Sequence, residues 1–275
     1  MHGCTKVSEG CRNCYAETMA RRLKGAKVFG YEEGFKVKLC HERVTEPAYI
    51  EKPTMFFVCS MGDLFHADVP FEFIDRVMDV IEMCPQHTFQ ILTKRPERMY
   101  QYFCERTRPC HRRFDLPKNI WIGTTVENAE ATKRLFTFTS ILLPNTTNVR
   151  FLSCEPLLGD LGKLDLRDID WVIVGGESGP KARPMKKEWL LNIKHQCDEQ
   201  GVPFFFKQWG TYGEDGIKRN KKANGHTIDG QVYQAWPKVA QSTPNPDTVS
   251  DHQPNTVSDH QPDSVSASRP NSDIR

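Results

Sequence analysis

Six short apolar segments alternate with helical patterns along this chain, and that alternation restricts the possible folds more than any other feature. Continuous apolar strands separated by amphipathic helices are typical of a parallel sheet that is covered on both faces. We therefore predict an α/β fold, a partial (β/α) barrel of about six parallel strands, with a doubly wound sheet as the alternative. The predicted strands are residues 55–59, 89–92, 120–122, 149–152, 171–174 and 204–206.

Charged, polar and glycine residues follow these strands at the points where they end. Parallel strands bring their carboxyl ends to one edge of a sheet or barrel, and α/β proteins build their sites at that edge. We therefore predict a functional site there. Its candidate residues are Ser60, Gly62 and Asp63 after the first strand, Lys94 and Arg95 after the second, Glu127 after the third, Glu155 after the fourth, and Gly175, Gly176 and Glu177 after the fifth.

Helical periodicity and end signals predict helices between the strands. Asn13 is the expected N-cap of the first helix, Asn128 that of the helix after the third strand, and Gly201 the expected stop of the last. The predicted helices are residues 13–24, 73–83, 97–105, 128–138 and 186–200, and a short strand is possible at 35–39.

Three cysteines, Cys4, Cys11 and Cys14, form a Cys-x6-Cys-x2-Cys pattern at the start of the chain. Three thiolates on one short loop suit a [4Fe–4S] cluster, in which three irons take protein ligands and the fourth iron stays open. A structural zinc site needs a fourth ligand, for which His2 is the nearest candidate. Three free thiols in a mobile N-terminus are the remaining alternative.

Charge and cysteine content restrict the compartment and the class of partner. The chain has 275 residues and a formal net charge of +2, so its bulk charge makes no strong case for nucleic acid. The start of the chain lacks the apolar stretch of a signal peptide, and no apolar run approaches the ~20 residues of a membrane span. We therefore expect no membrane partner, and we expect the ten cysteines to be reduced in the cytoplasm.

The C-terminal part of the sequence differs in character from the rest. An eight-residue repeat, Asp-Thr-Val-Ser-Asp-His-Gln-Pro, begins at Asp247, recurs from Asn255 and decays in a third copy. Such a polar, proline-rich segment has too few apolar residues to form a core. We therefore predict a folded domain over residues 1–237 and a disordered low-complexity tail over 238–275.

A compact basic run, Lys-Arg-Asn-Lys-Lys, occupies residues 218–222. An exposed loop is the simpler interpretation of this run. A contact with the phosphates of a nucleic acid is the alternative.

Six motifs occur in order along the chain: residues 3–17, with the three cysteines, then 60–66 (Ser-Met-Gly-Asp-Leu-Phe-His), 92–96 (Leu-Thr-Lys-Arg-Pro), 151–157 (Phe-Leu-Ser-Cys-Glu-Pro-Leu), 171–179 (Trp-Val-Ile-Val-Gly-Gly-Glu-Ser-Gly) and 204–209 (Phe-Phe-Phe-Lys-Gln-Trp). As a set they resemble the phage gp thirty-seven/gp sixty-eight family, an uncharacterised-domain group found in phages and bacteria. The resemblance covers residues 3 to about 237. That family in turn resembles divergent radical S-adenosylmethionine (SAM) proteins near the spore photoproduct lyase group.

The chain differs from these relatives at its start. Radical SAM enzymes usually have three residues in the first gap between cysteines, whereas this chain has six. Members of the resembled family usually carry a further segment before the first cysteine, whereas only Met1, His2 and Gly3 precede Cys4 here. We therefore expect one edge of the sheet to be open and the cysteine loop to be poorly anchored.

The resemblance implies cofactors as well as a fold. Cys4, Cys11 and Cys14 would bind a [4Fe–4S] cluster, and SAM would chelate its open iron. One electron from a small electron-donor protein would then cleave SAM and start radical chemistry. The protein would supply position and exclusion of solvent.

The resemblance also implies roles for the strand-end residues. Asp63, in a turn with Ser60 and Gly62, would bind the SAM ammonium, and Lys94 or Arg95 would hold its carboxylate. Capping by Asp63, and structural ion pairs from Lys94 and Arg95 to Glu127 or Glu155, are the alternatives. The remaining expected contacts are ribose hydroxyls or substrate amines for Glu127 and Glu155, and adenine or substrate for Gly175, Gly176 and Glu177.

Three functions follow as hypotheses, and the oligomeric state stays open. The leading one is a radical SAM enzyme that modifies or repairs a nucleic-acid base or nucleotide, in the bacterial host cytoplasm if the chain is phage-encoded. The second is a zinc- or cluster-stabilised nucleic-acid-binding module without turnover. The third is a metal-dependent hydrolase that uses Asp63, His66, Asp68 and Glu155.

Overall fold

The computed structural model describes residues 1–106, 116–141 and 148–238. Its main sheet has six strands in the order β1-β2-β3-β4-β5-β6, and every neighbouring pair is parallel. Because the strands follow one another in sequence order, the sheet winds in one direction as a half-barrel, and the predicted partial barrel is confirmed over the doubly wound sheet. The strands are β1 (Met55–Val58), β2 (Thr88–Thr93), β3 (Ile120–Thr125), β4 (Val149–Cys154), β5 (Trp171–Gly175) and β6 (Phe204–Gln208).

The helices lie close to their predicted positions. They are α1 (Tyr15–Gly25), α2 (Phe71–Met83), α3 (Pro96–Arg106), α4 (Lys133–Thr139), α5 (Lys187–Gln200) and a single turn, α6 (Lys221–Asn224), before a two-residue hairpin of β7 (Thr227–Ile228) and β8 (Gln231–Val232). Gly201 ends α5 in the left-handed conformation, as predicted. Short 3-10 helices occur at Glu9–Cys11, His41–Arg43, Glu46–Tyr49 and Ala129–Thr132.

Three local predictions need correction. Asn13 does not cap α1, because its side chain is drawn into contacts with a distant strand end. Residues 35–39 form no strand, since only Lys38 makes an isolated bridge, with His2. Asn128 does act as a cap, but of the 3-10 helix Ala129–Thr132 that precedes α4.

The sheet has one apolar cluster on each face, and a third, small cluster packs Ala16 and Ala20 of α1 against Met61 in the turn after β1. The helices cover the outer face in one large apolar cluster. The inner face carries a smaller aromatic cluster that includes Trp121, Phe151 and Trp171. Trp236, from the segment after β8, stacks on Trp171 with ring centroids 4.9 Å apart, and Trp171 Nε1 donates to the Ala235 carbonyl at 2.8 Å. The chain after the last strand therefore fills the inner face at the end where Trp171 begins β5.

The first residues of the chain are well anchored, in contrast to expectation. The His2 N–H donates to the Lys38 carbonyl at 3.1 Å, and the Lys38 N–H donates back at 2.9 Å. The Gly3 N–H donates to the Met61 carbonyl at 2.9 Å, and Gly3 forms a parallel bridge with Gly62 just beyond the end of β1. Backbone hydrogen bonds of this kind hold the residues before Cys4 in place.

No helix in the described parts of the chain combines the length and the apolar character that a membrane crossing requires. The predicted disordered tail, residues 238–275, lies outside the described residues apart from Lys238.

Candidate functional site

The cysteine loop, residues 4–14, lies across the carboxyl ends of the strands. Three acidic residues from the ends of β1, β3 and β5 hold it there: Asp63, Glu127 and Glu177. All three are buried. Each holds a different part of the loop, either directly or through an arginine.

Asp63 follows β1 and holds the first part of the loop through an arginine. Its Oδ1 accepts hydrogen bonds from the Phe65 N–H at 3.0 Å and from Thr93 Oγ1 at 2.7 Å. Its Oδ2 accepts from the Lys94 N–H at 3.3 Å and from Arg95 Nη1 at 2.8 Å. Because both oxygens are occupied by the protein, Asp63 orients Arg95 and stabilises the ends of β1 and β2.

Arg95 connects Asp63 to the cysteine loop by hydrogen bonds. Its Nη2 donates to the Thr5 carbonyl at 2.9 Å, and its Nη1 lies 3.4 Å from Cys4 Sγ. His66 supports the same turn, since its Nε2 lies 2.8 Å from Thr5 Oγ1 and its Nδ1 accepts from the Asp68 N–H at 3.1 Å. The bond to Nδ1 leaves the proton on Nε2, so His66 donates to Thr5. Burial lowers the pKa of His66, which keeps the ring neutral.

Glu127 follows β3 and holds the middle of the loop. Its Oε1 accepts from the Ser8 hydroxyl and from the Gly10 N–H at 3.3 Å, and its Oε2 accepts from Arg134 Nη1 at 2.7 Å. A Cβ at Gly10 would lie 2.8 Å from Oε1, so only glycine allows this approach. Burial raises the pKa of Glu127, but Lys94, Ser8 and Arg134 together lower it below its usual value.

Glu177 follows β5 and holds the end of the loop. Its Oε2 accepts from Asn13 Nδ2 at 3.1 Å, and its Oε1 accepts from Arg183 Nη2 at 2.7 Å. Arg183 in turn donates from Nη2 to the Glu9 carbonyl at 3.0 Å and from Nη1 to the Glu9 carboxylate at 3.1 Å. Burial raises the pKa of Glu177, but the hydrogen bonds from Arg183 and Asn13 lower it by more, so the net shift is downward.

Lys94, at the end of β2, has far fewer contacts than these acids. Its ammonium lies 3.9 Å from Glu127 Oε2, and among the described residues this ammonium makes no hydrogen bond. Burial lowers the pKa of Lys94, although the neighbouring Glu127 carboxylate acts to raise it. A partly buried cation, with its side chain 19% exposed and three unused donors at the mouth of the barrel, is suited to an anionic ligand.

Glu155, at the end of β4, does not contact the cysteine loop. It pairs with Lys207 of β6, with Lys207 Nζ 3.0 Å from Glu155 Oε2. The Glu155 side chain is 21% exposed and that of Lys207 is 56% exposed. This pair is therefore accessible to a ligand in the half-barrel.

The glycines at the end of β5 have packing roles. A Cβ at Gly176 would lie 1.9 Å from the Trp209 carbonyl oxygen, so the chain ends of β5 and β6 approach each other only at glycine. Gly175 lies against the Glu155 side chain, and a Cβ there would lie 3.2 Å from Glu155 Oε2.

The turn after β1 contacts the start of the chain. A Cβ at Gly62 would lie 2.9 Å from the Gly3 carbonyl oxygen. Ser60 is exposed, and its carbonyl accepts from the Tyr15 hydroxyl.

The three loop cysteines are partly exposed free thiols. Burial raises the pKa of Cys4, while Arg95 lowers it. Within the described ranges, no three His, Cys, Asp or Glu side chains are arranged to hold a metal ion, so the thiols do not point to a common centre. Their kind and number suit an iron–sulfur cluster, and Arg95 Nη1, which lies 3.4 Å from Cys4 Sγ, provides a hydrogen-bond donor to one of the thiols.

Sequence reasoning did not find several residues that build the site: Thr5, Ser8, Arg134 and Arg183. It named Asn13 and His66 but assigned them other roles, Asn13 as a helix cap and His66 as a possible metal ligand, whereas Asn13 donates to Glu177 and His66 lies 2.8 Å from Thr5 Oγ1. Ser8 is 119 residues from Glu127, and Asn13 is 164 residues from Glu177. Contacts between residues so far apart in the chain produce no periodicity or spacing in the sequence from which they could be predicted. Position at a strand end was the available signal, and it found the acids but not their roles.

The fold and the site define an α/β half-barrel protein with a cysteine loop braced over its mouth. The chain belongs to the family described as "Protein of unknown function (DUF5131)", which matches residues 1–237. Neither a curated protein nor a solved structure shows significant similarity to it.

Proposed function

We propose that this chain is a radical SAM enzyme that binds a [4Fe–4S] cluster through Cys4, Cys11 and Cys14 and acts on a nucleic-acid base or nucleotide. One observation carries the proposal: a loop with three thiols is fastened by three buried strand-end acids over the mouth of a parallel half-barrel. This mouth is the usual place for a site in (β/α) folds. When bound, the cluster would supply the electron transfer that starts radical chemistry from SAM.

The side chains at the mouth divide the remaining tasks. Asp63 and Glu127 hold the loop, so neither is available for the SAM ammonium or for ribose. Lys94 is the better candidate for the SAM carboxylate, because Arg95 already contacts Asp63 and Thr5 while Lys94 has unused donors.

Glu155 is the acid best suited to a ribose hydroxyl or a substrate amine. Its carboxylate is partly exposed and shares a single lysine. We extend the proposal to the cytoplasm and to a small electron-donor protein, since the cluster needs reduced thiols and an electron source.

The other two functions have less support. The hydrolase would need Asp63 and His66 as metal ligands, yet both are hydrogen-bonded within the support of the cysteine loop. A non-catalytic module would not explain why Lys94 has only a 3.9 Å contact with Glu127, or why the Glu155–Lys207 pair is exposed.

Anaerobic reconstitution with iron and sulfide, followed by electron paramagnetic resonance of the reduced protein, tests the proposal. We expect about four irons per chain and a [4Fe–4S] signal that changes when SAM is added. A variant with Cys4, Cys11 and Cys14 changed to alanine should lose the signal. A control with Cys40 and Cys104 changed to alanine should keep it. Retention of zinc in place of iron, with no change on SAM addition, would overturn the proposal.

A further inference from the structure

A short hairpin rises beside the cysteine loop from the end of β6. Tyr212 and Lys218 form its antiparallel bridge, the Gly213 N–H donates to the Ile217 carbonyl at 3.0 Å, and the Arg219 N–H donates to the Thr211 carbonyl at 2.9 Å. We call residues 211–219 the rim hairpin. The single-turn helix α6 follows it directly.

The rim hairpin is joined to the cysteine loop through one intervening segment. Lys218 Nζ donates to the Pro180 carbonyl at 3.1 Å, and Asn13 Nδ2 donates to the Lys181 carbonyl at 2.8 Å. The Thr211 N–H also donates to the Glu177 carbonyl at 2.9 Å. The hairpin, residues 180–181 and the end of the cysteine loop therefore form one continuous border of the mouth.

This border and the helix α6 that follows it carry cations that have no acidic partner among the described residues. Five exposed side chains have no carboxylate within ion-pair distance in the parts of the chain that the structure describes; they are Arg12, Lys181, Lys218, Lys221 and Lys222. We call them the basic rim. The whole chain has a formal net charge of only +2, so the basic rim is a local concentration of positive charge.

The nearby acids cancel this charge only in part, because cations outside the basic rim already pair with them. Asp215 accepts from Arg219 at 2.6 Å. Two further cations are each shared between two acids: Arg183 pairs with Glu9 at 3.1 Å and with Glu177, and Lys187 pairs with Glu214 at 2.7 Å and with Asp229. Five acids thus share three cations, and the five cations of the basic rim exceed the two acidic charges that remain.

The aromatic ring of Tyr212 lies next to Lys218 of the basic rim. Tyr212 is partly exposed, and as the bridge partner of Lys218 it projects from the same face of the hairpin. Ile217 at the hairpin tip is 53% exposed. Cations that follow a backbone and an aromatic ring that stacks on bases are the two elements of single-stranded nucleic-acid binding.

We propose that the basic rim and Tyr212 are the docking surface for a single-stranded nucleic acid, whose target base enters the mouth of the half-barrel. The inference rests on the proposed function and makes its substrate a polymer rather than a free nucleotide. The phosphates contact the cations, and Tyr212 stacks on a base next to the one that enters. The basic run at residues 218–222 thus gains a role beyond that of an exposed loop.

Fluorescence anisotropy with the full-length chain and a labelled single-stranded DNA of about 20 nucleotides tests this surface, without SAM and over a range of salt. Lys221→Glu with Lys222→Glu should weaken binding at least tenfold. It should also make the salt dependence shallower by about 0.7 for each phosphate that the variant no longer neutralises. The matched control, Lys118→Glu with Lys163→Glu, reverses two exposed lysines outside the rim and should bind within about twofold of wild type. Tyr212→Ala should cost about tenfold.

Equal binding by the rim variant and wild type would overturn the docking surface. So would competition by polyglutamate as effective as that by unlabelled DNA, since that result would mean a surface for any polyanion. The spectroscopic response to SAM separates this failure from that of the enzyme proposal. A signal that still changes with SAM while DNA binding is absent overturns only the docking surface, and the reverse result overturns only the radical SAM assignment.

Discussion

The carboxyl ends of the first five strands fall into two sets that alternate around the half-barrel. The ends of β1, β3 and β5 carry Asp63, Glu127 and Glu177, which are buried and hydrogen-bonded to the cysteine loop or to an arginine that contacts it. The ends of β2 and β4 carry Lys94 and Glu155. Lys94 has one ion contact at 3.9 Å, and Glu155 pairs with the exposed Lys207 of β6.

The difference separates residues that build the site from residues that remain for a ligand. A buried acid with both carboxylate oxygens hydrogen-bonded contributes to stability and to the position of the loop. A charge held by a single long or exposed contact contributes little to either and stays available. Position at a strand end is thus insufficient to assign a role to a residue, because the role depends on which side chains and backbone groups that residue contacts.

Loss of Glu127 should produce the largest effect. Glu127→Gln leaves Arg134 and Lys94 without a buried counter-charge and weakens the hold on Ser8, so we expect unfolding free energy to fall by about 3–5 kcal/mol. Glu155→Gln, at a partly exposed pair, should cost about 1 kcal/mol or less. Urea denaturation of both variants measures the contrast. Equal losses would remove the distinction between the two sets.

A methyl group at Gly10 should disturb the same contact from the loop side. The added Cβ would lie 2.8 Å from Glu127 Oε1, so Gly10→Ala should destabilise the protein by about 1–3 kcal/mol. Gly159→Ala is the control, because its Cβ would meet nothing closer than Asn128 at 3.7 Å. Thermal unfolding of both variants checks the result. An unchanged midpoint for Gly10→Ala would show that the loop moves away from Glu127 at little cost.

Low pH should reduce the stability that the buried acidic residues provide. The net pKa shift of Glu177 is downward, since Arg183 and Asn13 outweigh burial. A lowered folded-state pKa gives stability that is present above the ordinary Glu pKa of about 4.3 and is lost as the pH falls through the folded value. We therefore expect the urea midpoint of wild type to fall more steeply below about pH 4.3 than that of Glu177→Gln. Parallel profiles for the two proteins would contradict this assignment.

Replacement of Lys94 should have a small effect on stability and a large effect on activity. Lys94→Met removes a partly buried cation, and Glu127 keeps its ion pair with Arg134, so unfolding free energy should change by about 1 kcal/mol or less. If Lys94 holds the SAM carboxylate, cleavage of SAM should fall about a hundredfold. Lys118→Met, at an exposed position, should change neither quantity. A destabilisation as large as that of Glu127→Gln would place Lys94 among the residues that build the site.

Local patterns predicted the elements of this fold well and their side-chain partners poorly. The apolar run at residues 149–152 predicts a strand, and β4 (Val149–Cys154) extends it by two residues. Asn13 shows the opposite case: its local preference predicts an N-cap, but its amide donates to Glu177 and to the Lys181 carbonyl instead. A cap contributes about 1 kcal/mol, so a buried charged acceptor elsewhere can outweigh it.

The sequence by itself determined a parallel sheet of six strands, the edge of the sheet that carries the charged residues, and the loop of three cysteines, because each depends on periodicity or spacing over a few residues. The half-barrel was selected over the doubly wound sheet only by the order in which the strands pair. Only the tertiary structure decided that Asp63, Glu127 and Glu177 hold this loop while Lys94 and Glu155 stay available. That decision depends on partners that are far apart in the chain and become neighbours when the strands align. Burial then makes each unfilled hydrogen-bond position costly, and this cost selects which charges are paired.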